Sequence, residues 1–215
     1  MPHHVFVAGG TGYLGRAVIP RLAERGHRVR ALARPGSQKK LPDGCEAVSG
    51  DALDETTFAA RVAPADTYLQ LVGVPHPSPA KAALFRSIDL ASAKVSARAA
   101  SAARVAHFVY VSVAHPAPAM RAYWEARAEA EACIRELRLD ATILRPWYVL
   151  GPGHLWPYLL LPGYWIAERL PSKRLRDAAR RLGLVTLEQM TAALVRAVES
   201  PVSGIRVVEV PDIRG

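Results

Sequence analysis

The stretch Val5-Phe6-Val7-Ala8-Gly9-Gly10-Thr11-Gly12-Tyr13-Leu14-Gly15 decides how this chain folds. A short apolar run enters three glycines spaced three apart, Gly9, Gly12 and Gly15. A helical pattern of Leu14, Val18, Ile19, Leu22 and Ala23 opens at once. In such a unit the first glycine permits the tight turn and the second lets backbone approach a pyrophosphate. The third lets helix and strand pack closely. The helix amino end then offers free N–H groups and a partial positive charge to phosphates. Gly9, Thr11, Gly12, Tyr13, Leu14 and Gly15 are therefore the expected cradle of a dinucleotide. A glycine-rich turn without ligand is the alternative.

Working outward, apolar runs and helical stretches alternate to the end of the chain. Gly26 closes the first helix, as a left-handed cap does. Strands are expected at Val29-Ala33, Ala47-Ser49, Tyr68-Val72, Phe108-Val113, Ala141-Leu144 and Ile205-Val210. Helices are expected at Thr56-Val62, from Ala80 to Ala103, from Met120 to Leu137, and from an N-cap at Thr186 to about Glu199. Strands apolar on both faces, alternating with helices, predict a Rossmann-type α/β fold: a doubly wound, mostly parallel sheet with helices on both faces. The expected organisation is a single domain over 1–215. Its one compositional break, from Pro146 to Pro171, is rich in Pro, Gly, Trp and Tyr and reads as an excursion over the carboxyl edge of the sheet.

Composition narrows the classes. Half of the 215 residues are hydrophobic, enough for a sizeable core, and no run of 18 apolar residues predicts a membrane span. The start lacks the pattern of a secretory signal. Two cysteines, Cys45 and Cys133, have no His or Cys at metal spacing. They read as reduced thiols of a cytoplasmic protein without a metal site. The net charge of +9 could mean nucleic acid, but the basic residues are spread along the chain in blocks no longer than Lys39-Lys40 or Lys173-Arg174. No nucleic-acid partner is expected.

The second strand separates two cofactors. A site for NAD usually ends this strand with an acid that holds the ribose hydroxyls. Here Val29-Arg30-Ala31-Leu32-Ala33 ends at Arg34, with Lys39 and Lys40 following. An arginine suits a 2′-phosphate through planar, charge-assisted hydrogen bonds, so NADP(H) is expected, with NAD(H) the second choice. Arg16 could help from the helix start. Arg34 as a solvated loop residue is the alternative. After the third strand, Gly50-Asp51-Ala52 offers an adenine contact through Asp51 and Ala52, or else Asp51 caps a helix.

Four stretches together resemble the short-chain dehydrogenase/reductase superfamily, in its atypical, NmrA-like and epimerase-like branch. They are the glycine turn through Arg16, Gly50-Asp51, the strand Phe108-Val109-Tyr110-Val111-Ser112, and Thr142-Ile143-Leu144-Arg145-Pro146 running to Leu150-Gly151-Pro152-Gly153. The resemblance implies further cofactor contacts at Val72, Gly73 and Pro146. It also implies chemistry: active members carry a Ser or Thr after the fifth strand and a Tyr-x-x-x-Lys on the next helix. This chain has Tyr123-Trp124-Glu125-Ala126-Arg127, with arginine for lysine. Valine, Val113, stands where the catalytic hydroxyl aligns, so Ser112 or His115 would have to substitute. Tyr123 is also close to the helix's apolar stripe, which leaves a packed tyrosine as the other reading. Nucleotide-sugar members add a long carboxyl-terminal substrate domain, which a chain ending at Gly215 is expected to lack.

Two functions stay open. One is an NADP(H)-dependent oxidoreductase using Tyr123, Arg127 and Ser112 on a small carbonyl, quinone or flavin-like acceptor. The aromatic run Trp147, Tyr148, His154, Trp156, Tyr158, Tyr164 and Trp165 suits an aromatic small-molecule substrate, or else packs into the core or against a second copy in a homo-oligomer. The other is a non-catalytic NAD(P)H-binding redox sensor or assembly factor, which the missing serine and lysine favour.

Overall fold

A computed structural model describes residues 2–117, 119–152 and 181–215. Seven strands form one sheet in which every neighbouring pair is parallel. They are β1 (His4–Ala8), β2 (Arg28–Ala33), β3 (Cys45–Ser49), β4 (Thr67–Gln70), β5 (His107–Val111), β6 (Ala141–Arg145) and, last in the chain, β9 (Ile205–Glu209). Their spatial order is β3-β2-β1-β4-β5-β6-β9. A separate parallel pair joins β7 (Tyr148–Leu150) to β8 (Leu184–Thr186), a small sheet that periodicity alone did not signal.

The alternation of side chains along β1 sorts the core. Phe6 and Ala8 point to one face with Tyr68, Phe108, Tyr110 and Ile143, covered by α3 (Ala91–Ala102) and α4 (Arg121–Glu136). Val5 and Val7 point to the other with Leu69, Val109 and Leu144, covered by α1 (Tyr13–Glu24), α5 (Leu187–Glu199) and the short α6 (Val210–Arg214). Both faces of the central strands are thus apolar and covered, the condition under which all-parallel sheets form. The order reverses between β1 and β4, and the crevice beyond their carboxyl ends is where open α/β sheets bind ligands.

Two connections differ from the expected pattern. The helix expected over Thr56–Val62 is a pair of 3₁₀ turns, Glu55–Thr57 and Ala59–Arg61, and the cap is the side chain of Asp54, which accepts the Thr56 N–H at 3.1 Å. The expected helix from Ala80 to Ala103 is composite: a 3₁₀ turn (Pro79–Lys81), a single turn α2 (Ala82–Leu84), a π-helical stretch (Phe85–Leu90) and then α3. Its alanine-rich composition suits every one of these backbone forms, so only tertiary contacts choose among them.

At α5 the local rule holds in full. Thr186 accepts the Gln189 N–H at 3.1 Å while Gln189 Oε1 accepts the Thr186 N–H at 2.9 Å, a reciprocal capping box. Thr186→Ala removes one half of it and should destabilise the protein by about 1 kcal/mol, read as a lower denaturation midpoint with an unchanged urea slope.

Candidate functional site

The glycine turn is shaped by contacts that leave no room for side chains. Gly9 has a φ of +91°, and a Cβ there would come within 2.8 Å of the Leu71–Val72 backbone, so β1 and the segment after β4 approach as closely as chains can. A Cβ at Gly15 would collide with the carbonyl oxygen of Gly9 and the backbone of Gly10. Gly12 differs: its N–H donates to the Gly9 carbonyl at 3.0 Å, its φ is −80°, and the nearest atom to a Cβ would be that carbonyl at 3.2 Å. Gly12 is the N-cap of α1 and brings no side chain to the helix end, so the first-turn N–H groups face the crevice.

That crevice has a volume of about 440 Å³, within the size range of small-molecule sites. Gly9, Thr11 and Gly12 form one wall, Ala33, Arg34 and Ser37 the second, Asp51, Ala52 and Leu53 the third, and Val72, Gly73 and Val74 the fourth. Arg34 is exposed and its side chain makes no ion pair or hydrogen bond among the described residues; Lys39 and Lys40 are exposed beyond it, and Arg16 is exposed on α1. Asp51 is no helix cap: its carboxylate accepts the Leu53 N–H at 3.0 Å within a turn, and the cap three residues further on is Asp54. Leu14 packs its side chain into the core beneath α1. Tyr13 reaches across to Gly151, where a Cβ would collide with its hydroxyl oxygen. Pro146 is buried, its carbonyl accepting the Ala114 N–H at 3.0 Å, and it is not among the crevice-lining residues.

The three residues expected to carry chemistry lie near one another beyond β5, two of them already engaged. Strand β5 ends at Val111, so Ser112 and the buried Val113 follow it rather than belong to it. Ser112 donates its hydroxyl to Glu131 Oε1 at 2.7 Å. Arg127 is 6% exposed; its guanidinium donates to the Val111 carbonyl at 2.6 Å and to Asp89 Oδ1 at 2.5 Å. Tyr123 is half-buried, packed on Phe85 with ring centres 4.9 Å apart and with the Arg127 guanidinium 5.3 Å from its ring centre. Burial pushes the neighbouring Tyr110 hydroxyl up to about 12.

Glu131 is a second centre, which the sequence reading missed. It is 1% exposed and accepts hydrogen bonds from Ser112, from Arg145 (Nε at 2.9 Å and a terminal nitrogen at 2.5 Å) and from Arg135 at 3.2 Å. His115 Nε2 lies 3.1 Å from Oε1. Burial alone would raise its pKa, but hydrogen bonds from His115, Arg145 and Ser112 hold the carboxyl well below the usual carboxylate range. Asp89 was missed as well. The available signal was spacing: Tyr123, Arg127 and Glu131 fall four apart on one face of α4, amid the buried Ala126, Ala130 and Ile134. Charged residues on an apolar stripe announce partners without naming them.

Among the described residues no helix is long and apolar enough to cross a membrane, and no cluster of His, Cys, Asp or Glu could hold a metal ion. Of the aromatic run, His154, Trp156, Tyr158, Tyr164 and Trp165 lie outside the described residues, as does Gly153.

The sequence profile of the NAD(P)H-binding family matches residues 9–152, from the glycine turn to the end of the loop after β7. The chain belongs to the NAD(P)H-binding family. It is 27% identical over 212 residues to a ceramide reductase of Caulobacter vibrioides, covering 98% of this chain and 65% of that protein. It is 31% identical over 175 residues to a 3-diazoavenalumate denitrifying reductase of a Streptomyces species, covering 69% of this chain and 57% of that one. The chain thus spans less than two thirds of the length of these relatives. A short-chain dehydrogenase/reductase superfamily protein of Agrobacterium tumefaciens with bound NAD shares the fold, with a TM-score of 0.69 and 18% identity over 96% of this chain and 77% of that one.

The cradle fits the cofactor that the family binds, because Gly12 lines the crevice at a helix amino end, and a Cβ there would meet only the Gly9 carbonyl, at 3.2 Å. Gly12→Ala should therefore leave the fold intact and weaken NAD(P)H binding by roughly tenfold or more. Gly15→Ala should unfold the protein, because only backbone could give way. Circular dichroism melts together with fluorescence titration of NADPH distinguish the two.

Proposed function

We propose that the chain is an NADP(H)-dependent reductase of a small carbonyl or quinone-like acceptor, with Tyr123 as its proton donor. Support for reduction comes from the relatives, which are reductases. Support for the phosphorylated cofactor comes from Arg34, a basic residue at the crevice edge where β2 ends and where an acid would serve NAD. Gly9, Thr11 and Gly12 would hold the pyrophosphate, Asp51 and Ala52 the adenine, and Val72 and Gly73 the wall between them. Pro146 would flank the far end. When bound and reduced, the cofactor supplies the hydride.

The single observation that carries the assignment is the guanidinium of Arg127 fixed 5.3 Å from the Tyr123 ring. That cation holds the ring of Tyr123 in one orientation, from which its hydroxyl would give a proton to the acceptor's oxygen. Arginine in place of lysine keeps that charge permanently. Ser112, already donating to Glu131, retains only its lone pairs for a substrate, as acceptors.

A second reading, a cofactor-binding protein without turnover, is favoured by a different observation. Val113 is buried where the superfamily aligns its catalytic hydroxyl, and Ser112 is occupied. Tyr123→Phe separates the two. Under the reductase reading it should remove most turnover of NADPH with an aromatic carbonyl or quinone and leave NADPH affinity almost unchanged. A variant as active as the wild type moves the assignment to the second reading.

Cofactor choice has its own test. Arg34→Ala should weaken NADPH by roughly 10- to 100-fold and NADH by little. Paired titrations of both proteins check this, and an unchanged preference removes Arg34 from the site.

A further inference from the structure

Beneath the wall of the crevice that follows β4 lies a buried ion pair whose aspartate has no part in the proposed chemistry. Asp89 is fully buried and uses both carboxylate oxygens: Oδ2 accepts the Val74 N–H at 3.0 Å, and Oδ1 accepts from Arg127 at 2.5 Å. Arg127, also buried, donates its other terminal nitrogen to the Val111 carbonyl. A continuous path therefore joins the end of β5, helix α4, the π-helical stretch and the segment after β4. The loop lies directly on this path, since a Cβ at Gly73 would come within 2.5 Å of the guanidinium.

Three features mark this as a built arrangement. A π-helical stretch accommodates an extra residue per turn, and here it holds Asp89 inward while Ile88, its neighbour, lines the crevice. Gly73 is the residue whose lack of a side chain lets backbone rest on the guanidinium. The Arg127 guanidinium also lies 5.8 Å from the Tyr110 ring centre and 5.3 Å from that of Tyr123, so its orientation is fixed by aromatic rings as well as by acceptors. Two buried charges impose a large desolvation cost, which a packed apolar pair would avoid, and their retention calls for a role in geometry.

We infer that Asp89 and Arg127 act as one positioning pair that sets the Gly73–Val74 wall for the dinucleotide, with Arg127 acting through Asp89 and Val74 and not by touching the cofactor. This rests on the reading of the crevice as the NADP(H) site. It departs from the ribose contact that the superfamily's lysine would lead one to expect, because this guanidinium is buried, bonded to Asp89 and Val111, and not among the residues that line the crevice. The Asp89 oxygen that holds Val74 would keep the crevice wall at one height above the glycine turn.

The test reads binding, so it does not depend on turnover. NADPH affinity is measured by fluorescence titration for the full chain, for Asp89→Asn, for Arg127→Gln and for the double variant. Amide hydrogen exchange is followed in parallel. Asp89→Asn keeps an acceptor for the Val74 N–H but strands the buried guanidinium, as Arg127→Gln strands the carboxylate; the double variant strands neither charge and keeps the test readable where a single variant fails to fold. Each single variant should weaken NADPH by roughly tenfold, and the double variant by no more than the worse single one, because both act on one wall. Exchange in residues 71–75 should quicken in Asp89→Asn while α5 and β6 keep wild-type protection. The preference for NADPH over NADH, set at Arg34, should be unchanged. Asp89→Asn with affinity within about twofold of wild type overturns the inference, as does unaltered exchange in 71–75. Losses that add in the double variant overturn it too, since they mean that Arg127 meets the cofactor independently. A wild-type chain that binds neither NADPH nor NADH fails differently: it overturns the reading of the crevice, and the pair's role with it.

Discussion

The backbone of Gly15 resting against the carbonyl of Gly9 is the contact on which the rest of this structure depends. It brings the first turn of α1 down onto the end of β1 with no side chain between them, and that fixes the direction of the helix amino end. The closest approach of β1 to the segment after β4, at Gly9, then fixes the opening between them. Both are approaches of backbone to backbone, which cannot relax by changing a rotamer. A crevice bounded this way is pre-formed, and a ligand that enters it orders few groups that were free before.

How much of this was legible depended on whether the cause was local. The glycine triplet, the capping box at Thr186 and the apolar strands are set by residues within a few positions of one another, and sequence spacing gave each of them. Most element types came through for the same reason, the 3₁₀ turns within 55–61 and the β7–β8 pair aside, and so did the fully covered sheet, since runs such as Phe108-Val109-Tyr110-Val111 have no polar side to present to water. What spacing could not supply was the identity of distant partners. Asp89 meets Arg127 across 38 residues and Glu131 meets Arg145 across 14, through helices whose packing angle no periodicity specifies. The π-helical stretch was hidden because its residues suit an ordinary helix equally well. The resemblance to the superfamily located Tyr123, Arg127 and Ser112 in one neighbourhood. It could not say that arginine, longer and forked, would turn to a buried aspartate.

Helix α4 therefore carries two buried charges, each neutralised differently. Arg127 has one carboxylate and one carbonyl. Glu131 has two arginines, a serine and a histidine. Removing one member of such a set leaves a stranded charge, which costs far more than the set contributes when complete. Together they tie α4 to the ends of β5 and β6 at the carboxyl edge. The half-buried Tyr123 is held on the same helix.

The order of the strands has a consequence for how the chain takes shape during synthesis. Every described residue lining the crevice lies between Gly9 and Ile88, so these walls are translated before α3 is complete. Strands β1 to β4 are mutual neighbours in the sheet. Arg127 emerges only later, some forty residues after Asp89, and β9 closes the far edge last of all. The described residues that line the crevice are thus all made before the arginine that neutralises Asp89, so a fragment ending ahead of α4 would carry them all and leave that carboxylate without its counter-ion.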